Sequence, residues 1–99
     1  MNGLTNAGSA GGVGGVIQSG TFPTAGGITG YINLPAPAKA VIFSSTNHTT
    51  EGDWTPGSAY VILAGETSSS YGDFVALSAD GTEISYSKAV AGDRYIALG

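Results

Sequence analysis

Turn-forming clusters interrupt this chain throughout its length, and their spacing constrains the fold more than any other feature. PTAGG, PAPA, STNHTTEGDWTPG, GETSSSYG, ADG and KAVAGD leave no window long enough for a 3.6-residue apolar stripe. Between them lie seven short runs that read as strands: Val16–Phe22, Ile28–Leu34, Lys39–Ser45, Ala59–Ala64, Asp73–Ser78, Thr82–Ser87 and Arg94–Leu98. Short strands with turn signals roughly every 8–12 residues predict an all-β antiparallel sandwich or barrel. The expectation is a β-sandwich of about seven short strands over residues 16–99, preceded by an extended glycine-rich arm at 1–15.

Alternation along the runs supports this reading. In ITGYINL, Ile28, Ile32 and Leu34 fall on one face, with Thr29, Tyr31 and Asn33 on the other. In TEISYS, Ile84 and Tyr86 oppose Glu83, Ser85 and Ser87. Asp80-Gly81, set between two alternating runs, predicts a hairpin, because glycine accepts the positive φ that such turns require. Pro35 and Pro37 predict an extended, unpaired link before the third strand.

Three runs break the pattern. KAVIFSS, AYVILAG and DRYIALG are apolar on both faces. A strand apolar on both faces is covered on both faces, and a chain of 99 residues has one interior. The second covering is therefore expected from another chain or from the arm. The charged fraction agrees: 10% of residues are charged, against about 25% in an ordinary soluble domain. Surface charge keeps free monomers apart, so a chain this poor in it is expected to bury much of its outside against other subunits.

The arm cannot build a core. Ten of the 17 glycines lie within the first thirty residues, and glycine loses the most freedom on ordering while offering no side chain to bury. Gly11, Gly12, Val13, Gly14 and Gly15 are the candidate docking segment, because a glycine backbone can approach another surface closely.

No residue pattern announces a reaction. GGVGGVIQSG has no Lys-Ser/Thr for a phosphate loop, and Ile17 occupies the position of the third glycine in G-x-G-x-x-G. His48 is the sole histidine. A triad of Ser44 or Ser45 with His48 and Asp53 lacks the strained turn that exposes a nucleophilic serine. His48, Glu51 and Asp53 lie within six residues of one another. That is an ordinary composition for a polar loop, so no metal and no cofactor are expected. Glu51 and Asp53, two apart on a loop, have nothing to separate their pKa values for glycoside hydrolysis. Asn47-His48-Thr49 fits the N-glycosylation acceptor, which matters only in a eukaryotic secretory pathway. No basic n-region precedes an apolar h-region, so an export signal is not expected.

Partners are bounded by charge. A net charge of −4, with Lys39, Lys88 and Arg94 as the only bases besides His48, excludes the basic patch that nucleic acid requires. No apolar run reaches the roughly 18–20 residues of a membrane-spanning helix. The longest loop, from Thr46 to Gly57, carries Asn47, His48, Asp53 and Trp54. With Tyr71 these form the candidate ligand or partner loop, since long loops on rigid sandwiches are where binding tends to sit. Aromatic platforms beside Asp and Asn hold sugar rings. The competing and favoured reading has Trp54 plugging the end of the sandwich or packing on a neighbouring subunit.

GDRYIALG, preceded by DFVALSADGTEISYSKAV, resembles the closing strands of small β-sandwich domains in bacteriophage virion proteins. Gly20-Thr21-Phe22, Ile32-Asn33-Leu34-Pro35 and Pro37-Ala38-Lys39-Ala40-Val41-Ile42 resemble the early part of such domains. The resemblance spans about residues 20–99 and extends to H-type lectin domains, which are trimeric sandwiches. It implies a non-enzymatic structural protein of the virion, a capsid decoration or tail-fibre accessory. Such a protein would form a homotrimer and dock on other virion proteins through sandwich and arm. The alternative it implies is a lectin-like module that recognises a cell-surface glycan. A hydrolase using His48 is the third reading weighed, and the residues give it the least support.

Overall fold

The computed structural model describes residues 15–45, 54–55, 57–70 and 72–99. Among them the fold is all-β, with eight strands in two antiparallel four-stranded sheets. The strands are β1 (Val16–Thr21), β2 (Thr29–Asn33), β3 (Ala40–Ser45), β4 (Ser58–Leu63), β5 (Thr67–Ser70), β6 (Asp73–Leu77), β7 (Glu83–Ser87) and β8 (Arg94–Leu98). One sheet has the order β1-β8-β3-β4 and the other β2-β7-β6-β5. A single 3-10 turn, Lys88–Val90, occupies the KAVAGD cluster.

Seven of the strands match the seven apolar runs to within a residue or so at each end. The eighth, β5, lies in GETSSSYG, which reads as a turn from sequence. It pairs with β6 from Thr67↔Ala76 to Ser70↔Asp73. Its inward residues are serines rather than aliphatics, so no apolar alternation marks it. The inward order on β2 also differs at its start. Ile28 precedes the strand and is 85% exposed, while Gly30 takes the inward position beside Ile32.

The core lies between the sheets. Val41, Phe43, Ile62, Tyr95 and Ala97 point in from the first sheet, and Ile32, Val75, Leu77, Ile84 and Tyr86 from the second. Aromatic rings form two groups. Phe22 packs on Tyr86 (centroids 4.9 Å apart) and on Tyr95 (5.2 Å), and Phe43 packs on Trp54 and Tyr60. Tyr86 lies flat over its register partner Gly30 and donates its hydroxyl to the Pro23 carbonyl at 2.6 Å. A Cβ at position 30 would overlap the Tyr86 ring, so glycine is required there by packing rather than by φ. Burial, and secondarily the neighbouring Tyr95, pushes the Tyr86 phenol above its ordinary value of 10.0.

The Asp80-Gly81 hairpin joins β6 to β7. Gly81 has φ +76°, and its N–H donates to Ser78 O at 2.9 Å. Asp80 Oδ1 accepts from the Thr82 hydroxyl (2.7 Å), the Ser78 hydroxyl (2.7 Å) and the Thr82 amide (3.1 Å). These bonds hold the Asp80 carboxyl below its ordinary 3.8, the Thr82 hydroxyl contributing most. The proline link is not unpaired throughout, because Ala38 donates its amide to Gly81 O at 2.8 Å and so ties the link to the hairpin.

Candidate functional site

The three doubly apolar runs became β3, β4 and β8, and they are consecutive neighbours in one sheet. Residues that face outward on adjacent strands therefore meet. The register β8–β3–β4 aligns Ile96, Ile42 and Val61 in one row, and Leu98, Ala40 and Leu63 in the next. Val16 on β1 extends the second row through its pairing with Leu98. Val16 is 61% exposed, Val61 60%, Leu63 52% and Ile96 39%.

Ala40 shows how tightly this outer surface is built. It is buried yet absent from the inter-sheet core, and its register partners on either side are Leu98 and Leu63. A shallow depression of about 250 Å³ opens between Ile42, Ser44, Ala59, Arg94 and Ile96. Arg94 is the only charged residue in the four strands. The other sheet presents a different exterior. There Tyr31 and Phe74 stand among Thr29, Asn33, Glu83, Ser85 and Ser69. The apolar exterior thus belongs to one side of the molecule, and large contiguous patches of that kind mark interaction surfaces.

Of the candidate loop, Trp54 is the one member among the described residues; Asn47, His48, Asp53 and Tyr71 lie outside them. Trp54 is 2% exposed. Its indole Nε1–H donates to Ser68 Oγ at 3.0 Å, and its amide to Ser70 Oγ at 3.3 Å. Its ring packs edge-on against Phe43, with Tyr60 at 6.4 Å, which leaves no face open for stacking a sugar. The two inward serines of β5 thus meet the polar needs of a buried tryptophan, a role that hydropathy alone does not reveal.

Ser44, weighed as a nucleophile, accepts the Arg94 amide through its Oγ at 3.2 Å. Gly11, Gly12, Val13 and Gly14 lie outside the described residues. Gly15 accepts the Gly99 amide at 3.1 Å, which ties it to the end of β8 beside Val16, at the rim of the apolar surface. Among the described residues no group of three or more His, Cys, Asp or Glu side chains could hold a metal, and no helix is long and apolar enough to cross a membrane. No family model, curated protein or solved structure matches the chain.

Proposed function

We propose that this protein is a non-enzymatic structural component of a bacteriophage particle, a capsid decoration or tail accessory. It self-associates through the outer face of the β1-β8-β3-β4 sheet. The observation that carries the reading is the apolar surface of Ile96, Ile42, Val61, Leu63, Leu98 and Val16, which holds no charge but Arg94. Burying apolar area stabilises association by about 25 cal/mol per Å² before the costs of association. A chain with so few charges has little else to hold its copies apart.

The virion setting rests on the resemblance of residues 20–99 to phage sandwich domains, and a homotrimer is the assembly that resemblance implies. The glycine-rich segment is the second point of attachment, rooted at the rim of the same face. Purified particles of a phage that encodes this chain are expected to contain it after gradient centrifugation. Copies in the hundreds would place it on the shell and a few in the tail. Its absence from the particles would contradict the reading.

A further inference from the structure

β4 ends its sheet, and it differs from the other three edge strands. β1 carries a bulge between Val16 and Gln18, β5 is four residues of Thr and Ser, and β2 is interrupted by Gly30 and closed by Pro35. Bulges, short polar strands and glycine or proline are the devices that keep edges from pairing. β4, Ser-Ala-Tyr-Val-Ile-Leu, has none of them within its six residues, although Pro56 and Gly57 precede it as Pro35 follows β2. Its six residues pair with β3 without a shift, and it bears no charge.

The hydrogen bonds show which way each residue of β4 turns. Ala64 donates its amide to Lys39 O, toward β3. Leu63, one residue earlier, donates instead to Glu66 Oε1 at 2.8 Å and accepts from the Glu66 amide at 2.9 Å. Glu66 therefore closes the free edge at Leu63. By the alternation of an antiparallel ladder, Val61 and Ala59 turn the same way as Leu63. Their amides and carbonyls point to the open side, where the sheet order places no strand among the described residues.

We propose that this edge pairs with the same edge of a second copy, antiparallel about a two-fold axis through Tyr60. Ala59 then faces Val61 of the other copy, and Val61 faces its Ala59. Each pair exchanges two hydrogen bonds, so all four open donors and all four open acceptors are matched. The segment is self-complementary, as a two-fold contact requires. The pairing also joins the two outer faces into one continuous apolar surface across eight strands. This deepens the self-association reading above and rests on it for the second copy. It adds a two-fold contact through the backbone edge to the one through the side-chain face, and in a homotrimer held by that face the edge would join one trimer to another.

The test uses the full chain, which has no cysteine of its own. Equal amounts of Ala59→Cys and Val61→Cys chains are mixed and mildly oxidised. Positions 59 and 61 of the two copies lie about 5.5 Å apart between Cα atoms, within disulfide reach, whereas 59 to 59 and 61 to 61 are offset by two residues and about 8 Å apart. Disulfide-linked heterodimers far above the twofold excess over each homodimer that random pairing gives are the expected result. A heterodimer yield no more than twice that of each homodimer, or no cross-link, overturns the proposal.

As a second measurement, Ala59→Pro deletes an outward N–H at an edge position where proline is tolerated. It is expected to raise the concentration of half-association by about tenfold or more. A folded Ala59→Pro chain that associates like wild type also overturns it. The face is tested apart from the edge: Ile96→Glu chains that lose mass but still cross-link 59 to 61 keep the edge contact and remove the face.

Discussion

Trp54→Ala is expected to lower the unfolding free energy by about 3–5 kcal/mol, the range for emptying a fully buried aromatic site. The side chain lies in the inter-sheet core with 2% of its surface exposed, and it bridges Phe43 and Tyr60. Its removal leaves a cavity and also strips Ser68 Oγ of its indole donor. Against a total of about 5–15 kcal/mol for a typical domain, this is a large share. Denaturant titration followed by circular dichroism measures it in both proteins, since the variant has lost the only tryptophan. A loss under about 1 kcal/mol, joined to lost binding on a glycan array, would make Trp54 a recognition residue and favour the lectin-like reading.

Gly81→Ala is expected to cost on the order of 3 kcal/mol, from two sources. The backbone at 81 sits at φ +76°, where a side chain is strained. The new Cβ would also run into the Ala38 backbone, whose amide donates to Gly81 O. The proline link would have to move away and give up that bond. Gly57 provides the control, since it has a similar φ of +85° but no contact within 4 Å of its Cβ position among the described residues. Gly57→Ala should cost only the conformational part, about 1 kcal/mol. Equal losses at the two positions would show that the contact between hairpin and link does not matter.

These two sites mark what sequence pattern can and cannot supply. Asp80-Gly81 announces its hairpin because turn chemistry is local: the φ that glycine permits depends on no distant residue. That the same glycine also carries the backbone of Ala38 is a contact across 43 positions, and nothing near either residue encodes it. The seven apolar runs were legible because period-two alternation reports which side chains go inward. β5 was not, because its inward positions are Ser68 and Ser70, which serve Trp54 rather than an apolar neighbour.

The candidate site divides in the same way. The double apolarity of KAVIFSS, AYVILAG and DRYIALG was visible and called for a second covering. Their adjacency was not visible. β8 is inserted between β1 and β3 by the sheet order, and that order alone turns three separate excesses into a single surface. The open edge at Ala59 and Val61 depends further on Glu66 folding back to close Leu63, a side-chain choice that strand periodicity cannot convey.

Sedimentation of the full chain over a wide concentration range, beside Ile96→Glu, tests the outer face most directly. Ile96 lies on the outward side of β8, beside Ile42 in the first apolar row and outside the core. The wild-type chain is expected to sediment as a multiple of its 9.8 kDa mass, and Ile96→Glu as a folded species of lower mass, no larger than two edge-paired copies. Wild-type protein that stays at 9.8 kDa up to the highest concentration reached would contradict the account.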